Sequence, residues 1–222
     1  MRIIVVTGTN TGSGKTVVTG LLARLFHAAG QNVAALKPIC SGSRDDARML
    51  RASCGGRLKL EQVNPWHFRA SVAPLLAARQ EKRAVTLHDV VAHVREIFHS
   101  HSTVVIEGAG GLLSPLGEHF CTRELIAALG AEVVVAARNE LGVVNHVRLT
   151  LEALPPLVRG RARIALISTG RPNAVARTNR ALLGEFIPAE HIAALPWLTH
   201  PHDHDRALGL PAVRAALQLL AQ

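Results

Sequence analysis

The chain has no tyrosine, aromatic residues make up only 3% of its 222 positions, and its three cysteines, Cys40, Cys54 and Cys121, lie far apart. With no C-x-x-C pair, that cysteine usage excludes a disulfide framework and a paired-cysteine zinc site, and the three read as reduced thiols. A formal charge of +9 raises the question of a polyanionic partner. The arginines are scattered from Arg24 to Arg83 and onward, without a basic run or interleaved aromatics, so the charge reads as a solvated surface and no nucleic-acid partner is expected. Long apolar runs are missing too. None reaches the roughly 18 residues of a membrane span, and residues 3–6 are too short for a secretory core. The expectation is a soluble, cytoplasmic protein with no membrane partner. Lysine is scarce, with only Lys15, Lys37, Lys59 and Lys82. Two of the four fall inside motif-like segments.

What is present is a compact-domain composition, 48% hydrophobic and 18% charged, enough to bury one substantial core in a single domain over residues 1–222. Apolar, β-branched runs at residues 3–7, 33–37, 103–107, 132–136 and 164–168 alternate with helical patterns at about 14–29, 86–100, 121–129, 143–157 and 174–185. That alternation predicts an α/β fold with a doubly wound, mostly parallel sheet of the P-loop NTPase type. Continuous apolar strands such as Val133-Val134-Val135-Ala136-Ala137 suit a parallel sheet covered on both faces. The segment His200-Pro201-His202-Asp203-His204-Asp205 is locally odd. Without a companion cluster it reads as a polar loop with incidental imidazoles and no metal.

Three segments carry chemistry. The first follows the first strand: Gly8-Thr9-Asn10-Thr11-Gly12-Ser13-Gly14-Lys15-Thr16, then Val17. A glycine loop between strand and helix lets backbone N–H groups close on phosphate oxygens, with the helix N-terminus adding positive partial charge. Lys15 then reaches the β and γ phosphates and Thr16 offers a hydroxyl to Mg²⁺. The strict G-x-x-x-x-G-K-[ST] pattern places its first glycine at Thr9, whereas here the glycine is Gly8. The second is Lys37-Pro38-Ile39-Cys40-Ser41-Gly42. At the carboxyl end of a strand, Lys37 either faces the same phosphates or is an exposed lysine before a proline turn. The third is Val104-Val105-Ile106-Glu107-Gly108-Ala109-Gly110-Gly111, in which Glu107 occupies the position of a Walker B acid. Asp46 offers a further acidic contact, although its spacing favours a helix cap.

Together with Asn64-Pro65, Leu141-Gly142, Asn145-His146, Leu149-Thr150 and Pro196-Trp197-Leu198, these motifs closely resemble the dethiobiotin synthase family over nearly the whole chain. The resemblance implies a homodimer that uses ATP and Mg²⁺ to close a ureido ring on 7,8-diaminopelargonate with CO₂ or bicarbonate. It passes through a substrate carbamate, a carbamic-phosphoric anhydride, and attack by the second amine. By motif, Lys15, Lys37, Thr11 and Ser41 would serve catalysis, and Thr16, Asp46 and Glu107 would hold Mg²⁺. Nucleotide contacts would come from Gly12, Ser13, Gly14, Lys15, Thr16 and Val17, from Asp46, Glu107, Gly108, Ala109 and Gly110, and from Pro196, Trp197 and Leu198. Substrate contacts would come from Ser41 and Gly111, with Leu141, Gly142 and Asn145 receiving the distal carboxylate from the neighbouring subunit. The implied mechanism needs no serine or cysteine nucleophile, which makes Cys40 a bystander.

The chain departs from the family at three places. Ser168-Thr169-Gly170 stands where an adenine-reading asparagine is common, with Asn173 as an alternative. Asn10 replaces a frequent aspartate, and the stretch from Gly42 to Asp45 is short. Two rival classes share the nucleotide chemistry. A partitioning or septum-positioning ATPase carries a signature lysine that would fall on Asn10, and a cobyrinate-type amidation enzyme normally adds a glutaminase domain for which no length remains.

Overall fold

The computed structural model describes residues 2–170 and 174–222. Its strands are β1 Arg2–Gly8, β2 Val33–Leu36, β3 Ile39–Ser41, β4 Trp66–Phe68, β5 Thr103–Glu107, β6 Pro115–Gly117, β7 Phe120–Cys121, β8 Glu132–Arg138, β9 Arg163–Ile167 and β10 Ile192–Leu195. Six of them form one sheet in the order β10-β9-β8-β1-β5-β2, every pairing parallel. The chain leaves β1 in one direction to reach β2 and later returns past it to β8. A crevice therefore opens at the carboxyl ends of the strands where the order reverses.

Side-chain alternation explains why both faces are dry. Ile4 and Val6 pack to one side with Leu21, Leu22 and Phe26 of the helix Lys15–Ala28 and with Val213 and Leu217 of the helix Pro211–Leu220. Val5, Val133 and Val135 pack to the other side with Val94, Ile97, Ile126 and Val147. Each such side chain contributes roughly 1.5–3 kcal/mol on burial, so neither face tolerates solvent. The expected doubly wound parallel sheet is the one observed.

Several elements differ from the sequence expectation. β10 was not read as a strand, because Ile192-Ala193-Ala194-Leu195 is short and half alanine. The helices Asp45–Ser53, Pro74–Gln80 and Pro211–Leu220 were also unread. The helix expected at 143–157 ends at Ala153, since Pro155 and Pro156 follow and Leu154 is driven to extended backbone. Two further pairs, β3 with β4 and β6 with β7, stand apart from the main sheet, and Cys40 and Ser41 of β3 with Pro115 of β6 line the crevice. Among the described residues no helix is long and apolar enough to cross a membrane.

Candidate active site

β1 ends at Gly8 and the helix begins at Lys15, with Gly14 as its N-cap at φ 88°, left-handed backbone that disfavours any side chain. The position of the first glycine has a steric cause. A Cβ at residue 8 would lie 2.1 Å from Ser13 Oγ, so the glycine is needed here and Thr9 is free to carry a side chain. Lys15 is buried to 6% exposure and donates from Nζ to the Asn10 carbonyl at 3.0 Å. Burial, reinforced by the charge of Lys37, pulls its pKa down to about 8 against the opposing pull of Glu107 and Asp46.

Lys37 follows β2 and precedes Pro38, and it too is 6% exposed. Its Nζ donates to Asp46 Oδ2 at 2.7 Å and to Glu107 Oε1 at 2.5 Å. Burial works against its charge, yet the two carboxylates outweigh that cost and hold the ammonium above its ordinary pKa. Glu107, 2% exposed at the end of β5, is pushed up by complete burial against the attraction of Lys37. Thr16 Oγ1 donates to the same Glu107 oxygen at 2.9 Å. Both readings left open for Lys37 and Asp46 are thereby decided. Lys37 is not an exposed turn lysine, and Asp46 is not a cap. Arg44 occupies the N-cap and the Asp46 carboxylate points at Lys37.

Thr16, Asp46 and Glu107 present only oxygen donors, and Glu107 Oε2 is buried with no hydrogen-bond partner among the described residues. Two carboxylates and a hydroxyl are too few for an all-protein cage, and no group of three His, Cys, Asp or Glu suited to a metal occurs among the described residues. They fit Mg²⁺, which is usually held by one or two carboxylates together with substrate phosphates.

These groups open on a cleft of about 680 Å³ whose lining includes Thr11, Gly12, Gly14, Val17, Ser41, Ala109 and Gly110. Ser41 Oγ donates to the Val72 carbonyl at 2.5 Å. Gly108 is tied to β1 through its N–H to the Val6 carbonyl at 3.0 Å, and Gly111 donates to Ser114 Oγ at 2.8 Å. Ser13 is buried beneath the loop, 1% exposed, and is not part of the cleft lining. Leu141, Gly142 and Asn145 are exposed and do not line the cleft. Pro196, Trp197 and Leu198 also lie outside its lining. They follow β10 on the side where Ser168 N–H donates to the Leu195 carbonyl at 3.1 Å and Ile167 packs against Gly14. Asn173 lies outside the described residues.

Sequence reasoning missed three contributors. Asn64, 1% exposed, donates to the Lys37 carbonyl at 2.7 Å and the Pro38 carbonyl at 3.3 Å, and accepts from Arg44 Nε and Cys40 Sγ. It thus fixes the backbone that presents Lys37; the Asn-Pro pair was visible, but no role could be read from it. His202 lines the cleft. His204 is buried, so the reading of incidental imidazoles is corrected. All three cysteines are free and buried; burial pushes the Cys40 thiol above its ordinary range, where it is a poor nucleophile.

A family model described as an AAA domain matches residues 2–203. An ATP-dependent dethiobiotin synthetase from Anaeromyxobacter dehalogenans (strain 2CP-C) is 42% identical over 221 residues, covering 97% of this chain and 98% of the relative. One from Bacillus velezensis is 32% identical over 208 residues, covering 90% and 88%. The chain belongs to the ATP-dependent dethiobiotin synthetase family. Among solved structures, the MinD cell division protein of Aquifex aeolicus superposes with a TM-score of 0.61 over all of this chain and 96% of its own, at 14% identity. That likeness is one of fold. Dethiobiotin synthetase membership, by contrast, rests on nearly the full length of both chains, and it makes the protein an ATP-dependent ligase.

Proposed function

We propose that this protein closes the ureido ring of dethiobiotin on 7,8-diaminopelargonate, using CO₂, ATP and Mg²⁺, as a cytoplasmic homodimer. The observation that carries the reading is the convergence of Lys15, Lys37, Thr16, Asp46 and Glu107 in one cleft, within a chain of this family. An unprotonated amine adds to CO₂ and releases a proton, giving a carbamate. Its oxygen attacks the γ-phosphorus, ADP leaves, and a carbamic-phosphoric anhydride forms. The second amine attacks the carbonyl carbon, releases a proton and expels phosphate, closing the ring.

Phosphoryl transfer gains chiefly from positioning and electrostatic stabilisation, which the two lysines supply. Lys37, held charged by two carboxylates, faces the γ-phosphoryl and carbamate oxygens, while Lys15 gives up the Asn10 carbonyl for a phosphate oxygen. Thr11 and Ser41 hydrogen-bond the carbamate or the phosphate. Thr16, Asp46 and Glu107 would hold Mg²⁺, which when bound would offset repulsion among phosphate oxygens. Leu141, 84% exposed, and the exposed Asn145 lie outside the lining of their own cleft, which supports their serving the neighbouring subunit's substrate carboxylate at the start of the helix Val143–Ala153.

The test is phosphate release by the purified protein with ATP, Mg²⁺ and bicarbonate, with and without 7,8-diaminopelargonate, and mass spectrometry for dethiobiotin. Substrate-dependent release matched by dethiobiotin, and lost in Lys37→Ala, supports the proposal. Hydrolysis without that product would overturn it.

A further inference from the structure

At the end of the sheet opposite the nucleotide cleft, where the strands begin, lies a second cavity of about 460 Å³. The parallel register builds its floor. Ile4 of β1 stands beside Glu132 of β8, and Val134 of β8 beside Arg163 of β9. Side chains alternate between the faces of a strand, so these four share the face that Ile4 and Val134 turn toward the helix Pro211–Leu220. Leu220, at the end of that helix, lines the cavity with them.

The rim is cationic. Arg161 and Arg163 both line it, and neither pairs with a carboxylate among the described residues. Arg161 Nη2 donates to the Leu157 carbonyl at 3.2 Å, and Arg163 Nη1 to the Glu190 carbonyl at 3.4 Å. A guanidinium carries five N–H donors, so each retains several for a ligand. The nearby acids are engaged elsewhere: Glu132 accepts from Arg2 Nε at 2.8 Å, and Glu152 pairs with Arg159 at 2.8 Å. His191 completes the rim, and burial followed by the charge of Arg163, which outweighs that of Glu190, draws it below the ordinary imidazole range. The local field is therefore positive.

We propose that this cavity binds a short aliphatic carboxylate, its carboxylate held by Arg161 and Arg163 and its chain laid against Ile4, Val134 and Leu220. A planar guanidinium matches a carboxylate with two parallel hydrogen bonds, and the apolar floor favours a ligand that has a hydrocarbon body over a bare anion. The cavity shares no lining residue with the nucleotide cleft, so the inference stands apart from the ligase reading.

The test is isothermal titration of hexanoate into the native protein, Arg163→Ala and Arg161→Ala, with acetate, hexan-1-ol and inorganic phosphate as comparison ligands. Thermal melts certify that each variant folds, which is expected because neither side chain has an ion-pair partner to lose. The Kd for hexanoate should rise about tenfold or more in Arg163→Ala and about three- to tenfold in the more exposed Arg161→Ala, while the Kd for MgATP stays within about twofold of native. Acetate, which lacks four methylenes, and hexan-1-ol, which lacks the charge, should each bind the native protein at least about tenfold more weakly than hexanoate. Absence of hexanoate binding by the native protein, or an affinity unchanged in both folded variants, would overturn the inference. Phosphate or acetate binding as tightly as hexanoate would equally refute an aliphatic-carboxylate site. A native protein that binds hexanoate but not MgATP would sink the ligase reading and leave this site standing.

Discussion

The phosphate loop and the carboxyl end of β2 each bury one lysine to 6% exposure, and the two fare oppositely. Lys15, bonded only to a neutral carbonyl, is drawn down to about 8, whereas Lys37, clasped by Glu107 and Asp46, is held above its ordinary pKa. Burial alone penalises an ammonium. The difference is made by β5, which ends in a carboxylate within reach of one lysine's Nζ. Lys15 is therefore short of counter-charge, while Lys37 carries its counter-charge with it.

The sharpest way to break this comparison is to remove the lysine clasped by the two carboxylates. Lys37→Ala is expected to lower kcat by about 10²–10⁴, the scale of losing a preorganised transition-state donor, with the Kd for ATP changing much less. A kcat within tenfold of native would show that Lys37 is structural. Glu107→Gln comes next. It strips Lys37 of its main partner and removes an anionic oxygen donor, so the Mg²⁺ concentration for half-maximal phosphate release should rise about 10–100-fold. An unchanged requirement would remove Glu107 from the metal set.

Lys15 sharpens the contrast through stability. Its folded pKa of about 8 lies below the ordinary 10.5, so between those values the unfolded chain binds more protons and stability rises with pH. Lys15→Met should accordingly be more stable than native by roughly 2–4 kcal/mol at pH 7, with the gap closing as pH rises from about 8 to 10.5. Denaturant melts at three pH values across that window decide it, and a gap independent of pH would refute the burial argument. Asn64→Ala, which frees the Lys37 and Pro38 carbonyls, should cost roughly 2 kcal/mol in the same melts. Cys40→Ser should do least, leaving kcat within about twofold, since the thiol touches Asn64 rather than reacting atoms; abolished turnover with intact ATP binding would make Cys40 a participant after all.

Much of this was legible in the residues. The two-faced strands, the glycine loop at 8–16 and the acid ending β5 are local patterns, written in consecutive positions. β10 was not legible, because a four-residue segment that is half alanine carries no periodicity. Nor was the meaning of Asn64 or His204, whose partners Lys37 and Gly20 lie 27 and 184 positions away.

The sequence by itself determined the α/β layering, the nucleotide chemistry and the family, because strand hydrophobicity, loop glycines and motif order are properties of short segments. Only the tertiary structure decided which lysine is clasped by carboxylates, that Asp46 is a charge partner rather than a cap, and that the histidine segment lies against the phosphate-loop helix. Each of those depends on burial and on a partner distant in the chain, and Coulomb and desolvation energies are set by separation in space, not by order along the backbone.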